Sequence, residues 1–307
     1  MNWVVLTGGV GGARLADGMA RLLPPSQLRF ITNTGDDFWH WRLRICPDLD
    51  TMTYTLAGLA PEERGWGRAV ETFEALEVVR TLGGPDWFLL GDRDLGLHIT
   101  RTAWLEAGIP LTEVTARIAA SLGVRHAIIP MADQPFETRI FSAEHGRQRF
   151  QDWLVLHRAG PPVESIAFDG EPVASPACLD ALAWADIVVI APSNPYVSVD
   201  PILALPGVRE RLAAKPVVAV SPIVGGRAIK GPLAAMLVSI GGRAPSSGAV
   251  AAHYGDLVSA WVVEHGDADP VTEAGFAGVV VEAATVMRDA SDRDQLAARV
   301  IELGRRL

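Results

Sequence analysis

Trp3-Val4-Val5-Leu6-Thr7-Gly8-Gly9-Val10-Gly11-Gly12-Ala13-Arg14-Leu15-Ala16-Asp17-Gly18-Met19-Ala20 is the stretch that decides the fold. Residues 3–7 are a continuous apolar run of strand length, glycine fills four of the next five positions, and helical spacing begins at Ala13. Strand, glycine turn and helix in that order leave bare backbone N–H groups at a helix N-terminus. A phosphate fits there, because no side chain blocks its approach and the helix dipole favours negative charge. The spacing is neither the dinucleotide fingerprint G-x-G-x-x-G nor a P-loop, which requires G-K-[ST]. The expectation is a phosphorylated ligand outside the standard NAD and ATP classes. A tight turn that only packs helix on strand is the plainer alternative.

Outward from this unit, apolar runs of strand length alternate with helical patterns. Strands are expected at Leu28–Thr32, Trp87–Leu90, Ala127–Ile129, Ile187–Ile190, Val217–Val220, Val258–Val263 and Val279–Val281. Helices are expected over about Trp66–Leu82, over Thr112–Leu122, and from an N-cap at Ser291 to Leu307, with basic residues in the last turn. Continuous apolar strands separated by helices imply an α/β, Rossmann-like, mostly parallel sheet with helices on both faces. Between about 131 and 176 the pattern changes, and Thr138–Phe141 and Ser165–Phe168 alternate like exposed antiparallel strands. That stretch reads as a small inserted α/β subdomain within a single Rossmann-like catalytic domain spanning 1–307.

The chain has 307 residues, 49% of them hydrophobic, enough for a sizeable core. No apolar run reaches the roughly 18 residues of a membrane span, and no secretory signal precedes the first strand. Cys46 and Cys178 lack metal-ligand spacing, which fits two ordinary thiols in a reducing cytoplasm. A formal charge of −9 makes nucleic acid a poor partner. An anionic metabolite still fits where cations gather or a divalent metal intervenes.

Most polar clusters follow a strand, where an open parallel sheet carries its ligand crevice. Asp36-Asp37 and Cys46-Pro47-Asp48-Leu49-Asp50-Thr51 crowd four carboxylates within fifteen residues, read as loop. Such crowding is costly without a cation, and Mg²⁺ suits oxygen ligands; turn capping is the plainer account. In Gly91-Asp92-Arg93-Asp94 the flanking carboxylates are expected to orient the Arg93 fork toward a phosphate or planar group, against a surface ion-pair cluster. His98 follows as a possible base with no visible partner. Pro192-Ser193-Asn194-Pro195 with Ser198 offers hydroxyls and an amide for a base or sugar. Gly225-Gly226-Arg227-Ala228-Ile229-Lys230-Gly231-Pro232 offers a second phosphate cradle, with Pro232 opening a helix. Asp133 in Pro130-Met131-Ala132-Asp133 is a further carboxylate at a strand end. There is no G-x-S-x-G, no H-E-x-x-H and no zinc spacing. Glycine loops, cations and carboxylates remain, pointing to phosphoryl or nucleotidyl chemistry on a nucleotide-like ligand.

In these segments, taken in order, the chain resembles the 2-phospho-L-lactate transferase family of coenzyme F-420 biosynthesis. The resemblance rests on Gly8–Leu15, Asn33–Asp37, Cys46–Thr51, Gly91–Asp94, Pro192–Pro195 with Ser198, and Gly225–Pro232. It implies a Rossmann-like cytoplasmic homodimer that depends on Mg²⁺. It implies transfer of a phospholactate-type group from a guanosine diphosphate ester (lactyl-2-diphospho-5′-guanosine, or its enolpyruvyl or glyceryl analogue) to the ribityl hydroxyl of the deazaflavin Fo, releasing GMP. Asp50 and Arg93 fall on the family's Fo-contacting positions. On that account Asp50 orients or deprotonates the hydroxyl and Arg93 positions the acceptor. Gly8, Gly9, Gly11, Gly12, Asp48, Asp92, Asp94, Ser193, Asn194, Ser198, Arg227 and Lys230 are the remaining substrate-binding candidates, and Asp36 and Asp37 the metal-ligand candidates. Two departures stand out: Trp41-Arg42-Leu43 occupies the place of a small Gly-Leu pair, and Ala132 replaces a serine. A regulator that binds nucleotide sugars without turnover is the alternative class; an NAD-dependent dehydrogenase fits poorly, for want of the fingerprint.

Overall fold

A computed structural model describes residues 1–307. Its strands are β1 (Trp3–Thr7), β2 (Leu28–Thr32), β3 (Phe38–His40), β4 (Leu43–Ile45), β5 (Ala127–Pro130), β6 (Glu137–Ser142), β7 (Gly146–Arg149), β8 (Ser165–Asp169), β9 (Ile187–Ile190), β10 (Val217–Val220), β11 (Ile223–Val224), β12 (Arg227–Ala228), β13 (Ala260–Val263) and β14 (Val279–Glu282). Seven of them form one sheet in the order β14-β13-β10-β9-β1-β2-β5, and every pair in it is parallel. Trp3 pairs with Leu28 on one side of β1 and with Ile187 on the other.

Alternate residues of β1 feed different cores. Val4 and Leu6 join a cluster of 33 buried residues, while Trp3 and Val5 join one of 29 on the opposite face. The sheet is therefore covered on both sides, as the unbroken apolar strands require. At about 2 kcal/mol for each large apolar side chain removed from water, these two layers hold the fold together.

Helix α1 (Gly9–Leu22) follows β1 and packs against the C-terminal helix Ala290–Gly304 and against α2 (Pro47–Leu56). Succession then runs from β1 to β2 and β5 on one side and to β9, β10, β13 and β14 on the other. The order reverses beside β1, which opens a crevice above the carboxyl ends of β1 and its neighbours. No helix in the chain is long and apolar enough to cross a membrane.

Several expectations need correction. Trp87–Leu90 is not a strand; Leu90 packs with Phe38 and Ile45 of the β3–β4 hairpin, and Trp87 and Phe88 lie against Phe38. Side-chain packing satisfies that apolar run in place of sheet pairing. Of Trp66–Leu82 only α3 (Glu74–Thr81) is helical. Gly65, Gly67 and Val70 have positive φ values of 74°, 67° and 54°, which a right-handed helix cannot contain. Asp48 and Asp50 lie in the first turn of α2, with Pro47 at its start, and Asp92 and Asp94 in the first turn of α4 (Asp92–Glu106), so neither pair is on a loop. Carboxylates there complement the helix dipole. The last helix is capped by Asp289, whose side chain accepts from the Asp292 N–H at 2.9 Å, and has no basic residue in its last turn. Two-residue loop Trp41-Arg42, both at positive φ, closes the β3–β4 hairpin. That conformation is the one glycine tolerates best.

Within residues 131–176, β6 pairs with β7 and β8 in a three-stranded antiparallel sheet, and a π-helical turn spans Asp152–Leu156.

Candidate active site

A cavity of about 700 Å³ opens over the carboxyl ends of the parallel strands. The glycine turn after β1 forms its floor, and each glycine is there for a different steric reason. A Cβ on Gly8 would meet Asp48 and Ser198, each at 2.7 Å; one on Gly11 would lie 2.5 Å from the Pro192 carbonyl; one on Gly12 would strike Thr7 and Ser193. Gly9 has φ +66°. Gly8, Gly9 and Gly11 line the cavity, while Gly12 lies beneath it.

The floor is tied to its neighbours by side chains. Ser193 Oγ donates to the Gly8 carbonyl at 2.7 Å and accepts from the Gly8 N–H at 3.2 Å. The Gly9 N–H donates to Asp48 Oδ1 at 2.7 Å. The Val10 and Gly11 N–H groups, also in the first turn of α1, have no intrahelical partner and border the cavity.

Asn33 organises the carboxylates. Its Nδ2 donates to Asp48 Oδ2 at 2.9 Å, to Asp36 Oδ1 at 3.2 Å and to the Val197 carbonyl at 3.2 Å. Its own Oδ1 accepts from the Gly35 N–H. Asp36 and Asp48 thus share one amide while both face the cavity. Burial and mutual repulsion hold Asp36 well above the usual carboxylate range, and burial raises Asp48 to about 6.

Asp37 and Asp50 face elsewhere. Asp37 is buried against Arg44 at 3.4 Å, its Oδ1 has no partner, and burial raises its pKa to about 7. Asp50 is clamped by both Nη atoms of Arg101, one of them at 3.1 Å. His98, which showed no partner in the sequence, has Arg101, whose Nη1 lies 3.1 Å from its Nδ1; burial lowers the His98 pKa to about 4. None of Asp37, Asp50, His98 and Arg101 borders the cavity.

The carboxylates around Arg93 do not orient it. Asp92 accepts from Thr72 Oγ1 at 2.6 Å and from the Glu74 and Ala75 N–H groups, capping α3, and Asp94 accepts from the Tyr54 hydroxyl at 2.6 Å. Arg93 is exposed, just past the cavity-lining Phe88 and Leu89. Arg227 is exposed on β12, outside the cavity. Asp133 accepts from the Thr112 N–H at 2.7 Å and caps α5 (Leu111–Ser121).

Ser193, Asn194, Ser198 and Lys230 line the cavity together with Gly8, Gly9, Gly11, Asp36 and Asp48, although they are far apart in the chain. Asn194 Oδ1 also accepts from the Tyr196 N–H at 3.0 Å, which fixes the turn after β9. The structure adds lining residues that sequence reasoning missed. Arg14 lies one turn beyond Val10 on α1, and that four-residue spacing was the available signal. Trp66, Trp87, Phe88 and Phe150 add an aromatic side, and Gln151 and Leu154 bring the inserted segment into the wall. Only tertiary folding places these.

Asp36 and Asp48 fit a hard cation: two buried carboxylates, held together and mutually repelling, form the kind of partial shell that Mg²⁺ completes with phosphate and water. Asp37 does not join them.

The sequence profile of the 2-phospho-L-lactate transferase CofD family matches residues 3–303. A relative from Streptomyces coelicolor named phosphoenolpyruvate transferase is 42% identical over 97% of this chain and 96% of its own length. One of the same name from Thermobifida fusca is 44% identical over 99% and 98%, and one from Mycobacterium avium 40% identical over 94% of both. Among solved structures, a UPF0052 family protein from Bacillus halodurans superposes with a TM-score of 0.64 at 15% identity, covering 98% of each chain, which supports the fold. With the profile spanning nearly all 307 residues and relatives near 40% identity end to end, the chain belongs to the 2-phospho-L-lactate transferase (CofD) family.

Proposed function

We propose that the chain transfers a phosphorylated three-carbon acid from a guanosine diphosphate ester to the ribityl hydroxyl of Fo, releasing GMP, as a step of coenzyme F-420 biosynthesis. The relatives' name favours the enolpyruvyl form of the donor. The observation that carries the reading is one cavity in which a glycine floor, two buried carboxylates and an aromatic side meet.

The hydroxyl oxygen of Fo bonds to the β-phosphorus, the bond from that phosphorus to the bridging oxygen breaks, and GMP departs with the electron pair. The hydroxyl proton goes to water. The Val10 and Gly11 N–H groups face the phosphoryl oxygens, where negative charge gathers. Asp36 and Asp48 would hold Mg²⁺, which when bound neutralises charge on the diphosphate. The aromatic side formed by Trp66, Trp87 and Phe88 suits a flat deazaflavin ring. Asp50 and Arg93 keep the acceptor-end roles that the resemblance implies, with one change. Salt-bridged to Arg101 and outside the cavity lining, Asp50 acts on the acceptor end by fixing the wall behind it, without touching the hydroxyl. In a loose phosphoryl-transfer transition state orientation matters more than a strong base. The reading includes a homodimer in the cytoplasm and no nucleic-acid partner.

Purified protein with Fo, Mg²⁺ and the enolpyruvyl guanosine diphosphate ester tests this. GMP release in step with Fo consumption is expected. Tight nucleotide-sugar binding with no GMP release overturns it in favour of the regulator.

A further inference from the structure

We propose that Arg14 and Lys230 form a cationic subsite for the α-phosphate of the departing GMP, an inference that rests on the transferase reading. Both side chains border the cavity. Neither is neutralised by a carboxylate. Arg14 donates to the carbonyls of Met287 at 2.7 Å and Glu62 at 2.6 Å, and its Nε has no partner. Glu62 gives its carboxylate to Arg293 instead. Lys230 Nζ donates to the Arg64 carbonyl at 2.6 Å. Burial and the Arg293 charge lower the pKa of Arg14, and burial and the Arg14 charge lower that of Lys230. Two cavity-lining cations, held in place by neutral carbonyls and with no carboxylate partner, gain from an anion between them.

Their side of the cavity says which anion. The carboxylates follow β2 and α2 begins beside them, and the aromatic residues Trp87 and Phe88, packed on Phe38 just after β2, lie on that side. Lys230 follows β10, and Arg14 reaches toward Met287 beyond β14. Strands β2 and β10 lie on opposite sides of β1. Attack at the β-phosphorus is in line, with the entering and leaving oxygens on opposite faces. An acceptor on the β2 side sends GMP toward the β10 and β14 side. When the bridging bond breaks, the α-phosphate gains a negative charge, so Arg14 and Lys230 bind the product side more strongly than the intact ester.

Calorimetric titration of GMP alone into wild type, Arg14→Met and Lys230→Met is the test. GMP affinity is expected to fall about tenfold or more in each variant, the usual scale for a lost charged hydrogen bond, with Fo affinity unchanged. Lys230→Met carries the result if Arg14→Met does not fold, because Lys230 lies on an exposed loop. Equal GMP affinity in folded variants and wild type overturns the subsite; this is also the outcome if the pair reads the carboxylate of the three-carbon acid. If wild type neither binds GMP nor releases it from the donor, the transferase reading falls with it.

Discussion

Asp36 and Asp37 are neighbours, and Asp48 and Asp50 sit in one helical turn, yet within each pair the two carboxylates have opposite fates. Asp36 and Asp48 are held by an amide and a backbone N–H and face the cavity. Asp37 and Asp50 turn to Arg44 and Arg101 and are sealed in the wall. The partner decides the use. A carboxylate whose oxygens face a guanidinium is used in structure; one held by neutral donors beside a second carboxylate, its pKa raised, is left for a cation to ionise and bind.

Asp48→Asn should have the largest effect. Turnover should fall about 10³-fold, near 4 kcal/mol of transition-state stabilisation, with an unchanged or higher melting temperature, since a repelled buried charge is removed. GMP-release kinetics beside a thermal melt check this. Normal turnover in Asp48→Asn, with Asp50→Asn inactive at full stability, would reverse the contrast. Arg101→Met should strike stability instead, costing about 3 kcal/mol because Asp50 is left buried without its cation. Denaturant titration reads the loss, and adding Asp50→Asn should restore part of it. The smallest effect concerns pH in the metal-free protein. Asp37 and Asp48 bind protons more tightly folded than unfolded, at about 7 and about 6. The folded state therefore holds protons that the unfolded chain has released, and stability should decline as pH rises from about 4 to about 7. Asp37→Asn should flatten that decline; an identical pH profile for the variant would show that Asp37 is not the group responsible.

The central sheet was legible because strands buried on both faces leave unbroken apolar runs, as at Val4–Leu6 and Ile187–Ile190. The run at Trp87–Leu90 is as apolar, but it finds its partners in a hairpin of two short strands, a contact no local pattern records. The glycine floor and Asp48 could be read from spacing. The division between Asp48 and Asp50 could not, because it depends on α2 starting at Pro47 and on Arg101 arriving from α4. Phe150 and Gln151 were equally hidden: the inserted segment reaches the cavity only after it folds back.

One arrangement ties occupancy to mechanics. The carbonyls of Glu62 and Arg64, in the irregular stretch after α2, are held by the same Arg14 and Lys230 that border the cavity. A guest that takes the donors now on those carbonyls competes with that stretch for them. By reciprocity, loosening the stretch alters the grip on the guest to the same degree. The chain thus couples the order of residues 62–64 to the two cations that meet the guest.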